Sequence, residues 1–154
     1  MRTWRLCQER FASAAFTGEG AQLYGGRWHR AGMPVIYTAT SLSLAALEVL
    51  VHFDHDLIPG RFVAFAVEIP ATVHLQRLTA RQLPPNWRAL PAPDETKDLG
   101  TRWLQSRKSV GFVVPSALVP QEQNVLLNPT HPDFPKLRLG APQPFAFDPR
   151  LVRV

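Results

Sequence analysis

Fifteen prolines in 154 residues restrict this chain more than any other feature, and they cluster from Pro84 onward. Proline removes a backbone donor and its ring collides with a helix already under way. The C-terminal half is therefore expected to be short strands and shaped loops rather than long helices. One short helix is expected there, over Glu95 to Gln105, following Pro93-Asp94. Leu99 and Trp103, four apart, mark its buried side.

The N-terminal half reads differently. Thr3 to Cys7 alternates polar and apolar residues, as a half-buried strand does. Glu9 to Gly20 is small-residue rich and turn-like, and is expected to be a surface loop. Val35 to Ala39 is β-branched and aromatic after Pro34. Phe62 to Ile69 is a near-continuous apolar run, expected as a central strand. Val73 to Leu75, Phe112 to Val114, a strand ending before Pro129, Leu137 to Leu139 and Phe145 to Phe147 complete the expected strands. Hydrophobic residues at 45% and charged residues at 19% fit a folded globular domain with a real core.

Between two of these strands lies a helix, Leu42 to His52, with Thr40 or Ser41 available as its cap. It is apolar on nearly every side, which predicts burial, yet Glu48 stands in its middle. A carboxylate in such a setting must be paired, hydrogen-bonded or facing a cleft. A salt bridge to a core-lining arginine and a functional role are both open.

A second unusual stretch is Tyr24-Gly25-Gly26-Arg27-Trp28. Paired glycines allow a tight turn and close approach to the backbone. The arginine that follows offers a planar fork suited to phosphate or carboxylate oxygens. Other chemistries find less support. Ser116 lacks the Gly-x-Ser-x-Gly setting of a hydrolase nucleophile, which leaves turn chemistry or a ligand hydrogen bond. His52 and His55 beside Asp54 and Asp56 match no zinc template, so no metal is expected. His74 reads as a surface histidine. The single Cys7 excludes an internal disulfide. No run of about 20 apolar residues is present to cross a bilayer, and Met1 to Leu6 carries no signal core. A cytoplasmic protein is expected. The net charge of +5 favours an anionic partner, but the arginines are scattered from Arg2 to Arg153 rather than gathered in a basic run.

Taken in order, the motifs resemble the RES domain family, the toxins of a bacterial toxin–antitoxin class. They are Gly25-Gly26-Arg27-Trp28, Tyr37-Thr38-Ala39, Ala46-Leu47-Glu48, Leu83 to Trp87, Gly100-Thr101-Arg102-Trp103, Val114-Pro115-Ser116, Asn124 to Pro129 with His131, and Phe147 to Arg150. The resemblance covers nearly the whole chain, so residues 1–154 are expected to form one RES domain. It implies an α+β fold like that of ADP-ribosyltransferase toxins: a split mixed sheet with few helices around a central cleft.

The arginine, glutamate and serine that name the family correspond to Arg27, Glu48 and Ser116. The resemblance implies NAD as substrate, cleaved at the nicotinamide–ribose bond, with no added cofactor. It assigns catalysis to Glu48, Arg27 and Tyr37, and NAD binding to Gly26, Arg27, Tyr37, Ser116 and Asn124. Glu48 would stabilise an oxocarbenium-like ribose. Arg27 would hold the pyrophosphate and Tyr37 would stack on nicotinamide, although Tyr37 reads equally as a core or rim residue. Asn124 either lines the cleft or closes a strand.

The implied partner is a helix-turn-helix, Xre-like antitoxin whose C-terminal segment blocks the cleft. DNA would be met only through it, no membrane is involved, and a homo-oligomer within the complex is compatible. Three rivals are transfer of ADP-ribose to a protein, a basic RNA-binding toxin, which the dispersed arginines disfavour, and a purely structural interaction module, which gives Glu48 no purpose.

Overall fold

A computed structural model describes residues 1–53 and 60–151 of the chain. Eight strands form one mixed sheet: β1 (Arg2–Gln8), β2 (Ile36–Ala39), β3 (Phe62–Glu68), β4 (Leu75–Arg77), β5 (Gly111–Pro115), β6 (Gln123–Leu127), β7 (Arg138–Leu139) and β8 (Gln143–Phe145). Their order is β4-β5-β6-β2-β1-β3-β7, with β8 also on β3. Only β4 and β5 run parallel; the other ladders are antiparallel. Among the described residues, three α-helices accompany the sheet: α1 (Glu19–Tyr24), α2 (Leu42–Leu50) and α3 (Asp94–Ser106).

The sheet is split in its middle. β1 pairs with β3 along its whole length, from Arg2 opposite Glu68 to Gln8 opposite Phe62. By contrast β1 meets β2 at a single registered pair, Trp4 opposite Ala39. Beyond that pair the two strands part, and the Tyr37 carbonyl accepts from the Arg5 side chain (Nη1, 3.0 Å). A side-chain donor thus satisfies a carbonyl that an intact ladder would have paired.

Alternation along the strands separates two faces. One carries Ile36, Val67, Val113, Val125 and Leu127, all fully or almost fully buried. The other carries two separate clusters. Trp28, Trp103, Leu104, Phe112 and Leu126 pack under α3. Leu6, Ala39, Leu44, Ala45, Phe62 and Ala64 pack under α2. Tyr37 borders the first cluster and Ala39 belongs to the second, so the gap between them lies over the middle of β2.

Several expectations shift. Glu9 to Gly20 is not a plain loop: a 3-10 turn (Glu9–Ala14) is followed by the start of α1. The fourth strand begins at Leu75 rather than Val73, and the last pairs through Gln143 to Phe145. The apolar α2 is not buried all round. Leu44 and Ala45 are, but Leu47 is 42% and Val51 54% exposed. One side of a nine-residue helix suffices to cover the sheet, and the other side, next to Glu48, stays open. His52 is exposed at its end, while Asp54, His55 and Asp56 lie outside the described residues.

Helix α3 is pressed against the arginine turn. A Cβ on Gly100 would stand 1.5 Å from the Trp28 carbonyl oxygen. The Thr101 hydroxyl accepts from the Arg30 amide (2.9 Å), and Asp98 pairs with the Arg30 guanidinium (2.6 Å). Trp103 stacks on Phe112 at 5.4 Å and donates to Ser109 Oγ (2.9 Å).

Gly100→Ala is therefore expected to cost about 3 kcal/mol, since a backbone carbonyl cannot move aside. Gly20→Ala, in α1 with nothing within 4 Å of the new methyl, is expected to be neutral or to stabilise by at most about 1 kcal/mol. Urea midpoints of the two variants measure the contrast.

Candidate active site

Glu48 is a half-buried residue of α2. Its Oε1 accepts two hydrogen bonds, from Ser116 Oγ (2.8 Å) and Asn124 Nδ2 (2.6 Å). The second carboxylate oxygen has no partner among the described residues. Three elements meet in these contacts. Ser116 follows β5, and Asn124 stands in β6 opposite both Val114 and Ala39.

The turn that carries Ser116 also holds α2 in place. Ser41 caps α2 by accepting from the Leu44 amide (3.1 Å) and donates to Glu122 Oε2 (2.8 Å). Such a cap stabilises a helix by about 1 kcal/mol. The carbonyl of Glu122 in turn accepts from the Ser116 amide (3.0 Å).

Ser116 is fully buried, and its hydroxyl is committed within the chain. It donates to Glu48 and accepts from the amides of Leu118 and Val119, each at 3.1 Å. Of the two expected roles, turn chemistry is the one these contacts fill; the hydroxyl hydrogen goes to Glu48. Asn124 is 7% exposed, and its Oδ1 is buried without a partner.

Arg27 reaches the same region from the turn after α1. Its Nη1 donates to the carbonyls of Trp87 (2.6 Å) and Ala89 (3.0 Å), which fastens the Pro84-Pro85-Asn86-Trp87 loop. Its Nε and Nη2 make no bond among the described residues. Partial burial holds the guanidinium below its ordinary range, and the nearby Glu48 carboxylate and Tyr37 pull it back up, with Arg88 opposing. The Glu48 charge thus acts on Arg27, with no ion pair between them among the described residues. The core-lining salt bridge that Glu48 could have made is absent among the described residues.

Tyr37 is held on both sides of the sheet. Arg5 takes its carbonyl from one face. On the other face its hydroxyl lies 2.8 Å from His29 Nδ1. Burial pushes the phenol well above its ordinary range; the Trp28 backbone amide opposes this, Glu48 adds to it and Arg27 opposes it. What approaches the paired glycines closely is this hydroxyl. A Cβ on Gly26 would stand 2.6 Å from it, and Gly25 has a left-handed φ of 69°. Gly26 thus makes room for Tyr37.

His29 and Arg5 were not singled out by sequence, and Gly100 was named only as part of a motif. His29 carried one signal, its position two residues after Arg27. It is fully buried, and burial lowers its imidazole below the ordinary 6.5, with a contact to the Ala21 carbonyl (3.0 Å) opposing. His74 is exposed, as a surface histidine should be.

A family model described as RES domain matches residues 2–148. The chain belongs to the RES domain family. Among its relatives, this RES domain is 46% identical over 153 residues to "Toxin Res" of Yersinia enterocolitica, spanning 98% of this chain and 99% of the relative. It is 33% identical over 154 residues to "Prs ADP-ribosylating toxin" of a Sphingobium strain, spanning 97% and 96%. A structure of the M. tuberculosis MbcT–MbcA toxin–antitoxin complex contains a chain of the same fold. Its TM-score is 0.69 at 18% identity, over 94% of this RES domain and 83% of that chain. Among the described residues, no three His, Cys, Asp or Glu side chains gather as metal ligands would. No helix there is long and apolar enough to cross a membrane.

Two outcomes follow from this geometry. Ser116→Ala leaves two partly buried amides and one carboxylate oxygen short of a partner, and is expected to cost about 2 kcal/mol in denaturant titration. His29 in turn makes stability depend on pH. Its folded pKa lies below the unfolded value of 6.5, so the unfolded chain binds the proton first. The stability is complete above about pH 6.5 and is lost as pH falls through the lowered folded value. Urea midpoints of wild type and His29→Asn at pH 7.5 and pH 5.5 isolate that share of the slope, which is expected to vanish in the variant.

Proposed function

We propose that this RES domain is the toxin of a toxin–antitoxin pair and consumes NAD by breaking the bond between nicotinamide and ribose. The observation that carries the reading is the Glu48 carboxylate. Ser116 and Asn124 hold one of its oxygens, the other has no partner among the described residues, and its charge acts on Arg27, whose Nε and Nη2 are unused there. Relatives named as toxins, one of them as ADP-ribosylating, support it.

NAD joins a cationic nicotinamide to a ribose and an anionic pyrophosphate. When the glycosidic bond breaks, its electron pair leaves with nicotinamide, which departs neutral. The ribose is left with oxocarbenium character, so the transition state needs negative potential close to the sugar. Glu48 supplies it. The carboxylate is fixed before the substrate arrives, and little reorganisation accompanies the developing charge. The free Glu48 oxygen accepts from a ribose hydroxyl and orients the sugar. Arg27 offers Nε and Nη2 to the pyrophosphate. Tyr37 offers its ring to nicotinamide. Ser116 and Asn124 serve the reaction through Glu48, and Gly26 through the space it leaves for Tyr37.

The acceptor of the ADP-ribosyl group is water or phosphate in this reading. Transfer to a protein side chain is the second reading, favoured by the printed name of the Sphingobium relative. Label from NAD stays on protein in that case and in small molecules otherwise. The partner is proposed to be an Xre-like antitoxin that covers the cleft, in a cytoplasmic complex.

Glu48→Gln keeps an oxygen that can accept from Ser116 and Asn124, so the fold should persist. Nicotinamide release is expected to fall by at least about 100-fold, the usual loss when one preorganised electrostatic group is removed. Undiminished release would remove Glu48 from the mechanism. Arg27→Ala is expected to raise KM for NAD about tenfold or more while leaving kcat less affected, because the lost contact is made in both ground and transition states.

A further inference from the structure

We propose that His29 is the positioning residue of this site: its Nδ1 accepts the Tyr37 hydroxyl hydrogen, so Tyr37 meets a ligand as a fixed ring with no proton to donate. The assignment follows from what each neighbour can do. His29 Nε2 lies 3.0 Å from the Ala21 carbonyl oxygen. A carbonyl only accepts, so Nε2 carries the hydrogen. A neutral imidazole has one N–H, which leaves Nδ1 as an acceptor. Tyr37 Oη, 2.8 Å away, must therefore be the donor.

Burial favours that neutral form. His29 has no exposed surface, and the charges that act on Tyr37, Glu48 and Arg27, act in opposite senses. Space is arranged to suit: Gly26 carries no Cβ where the hydroxyl passes. The chain of contacts runs from the α1 backbone through His29 to β2, so the helix before the arginine turn sets the tyrosine on the strand behind it. Arg5 fixes the same residue at its carbonyl. A tyrosine gripped at both ends cannot swing its hydroxyl toward a sugar. It can only present its ring, which suits a flat cationic aromatic group.

The kinetic arm of the test rests on the NAD reading; the spectroscopic arm does not. A long-range 1H–15N spectrum of uniformly labelled protein reports both ring nitrogens, with the His29 signals identified by their absence in His29→Asn. Nε2 protonated and Nδ1 bare at neutral pH is expected, with the Nδ1 signal moving in Tyr37→Phe. A protonated Nδ1 overturns the proposal whether or not NAD is cleaved.

For turnover, Asn places an oxygen where Nδ1 stood, and Gln restores only the outer contact to Ala21. His29→Asn is expected to keep kcat within about threefold, and His29→Gln to lose about tenfold or more with KM little changed, as a misplaced positioning group does. In a Tyr37→Phe background the two variants should be equal. Equal losses in the wild-type background, or a difference that survives Tyr37→Phe, overturn the role. Absence of nicotinamide release from the wild type would defeat the NAD reading alone, and the ring signals would still decide where the proton of His29 resides.

Discussion

Everything at the centre of this molecule depends on how one carboxylate is held. A side chain like Glu48, on a helix whose neighbours are almost all apolar, would be costly if left without partners. Here Ser116 and Asn124 bring two donors to a single oxygen, 2.8 and 2.6 Å away. Ser116 follows β5 and Asn124 stands in β6, and these two strands are already paired with each other. Strand pairing, the serine turn and the cap of α2 therefore converge on one atom. The arrangement leaves the other oxygen outside the protein's own hydrogen bonding among the described residues, which is what a group meant for a ligand requires.

The sheet does not close evenly. β1 is zipped to β3 but touches β2 at one registered pair. A half-buried arginine, Arg5, donates to the Tyr37 carbonyl beside that pair. On the opposite face the hydrophobic core divides in two, one part under α3 and one under α2. Polar groups that could not survive inside either part survive between them. Gly100 completes the frame, because it alone allows α3 to lie against the Trp28 carbonyl and so fixes the turn that bears Arg27.

Much of this was legible in the residues, for physical reasons that also explain the failures. Strands with strong β-branched or aromatic character, such as Phe62 to Glu68, declare themselves by local preference. The helix after Pro93 shows because proline closes one end and apolar spacing marks one side. The one-sided exposure of α2 did not show, since its apolar residues are alike and only tertiary packing decides which are covered. Glu48 stood out through contrast with its neighbours. His29 did not, because its importance lies in two contacts made across eight residues of sequence each. Gly26 was read as admitting something close to the backbone; which group it admits, the Tyr37 hydroxyl, depends on the fold.

The central claim is that the open oxygen of Glu48 addresses the ribose of NAD while Arg27 secures the pyrophosphate. A crystal structure of the Glu48→Gln variant with uncleaved NAD tests it most directly. The account predicts a ribose hydroxyl within about 2.6–3.2 Å of the side chain at position 48, the pyrophosphate on Arg27 and nicotinamide against Tyr37. NAD bound with its nicotinamide ribose remote from position 48, or held elsewhere on the protein, would contradict it.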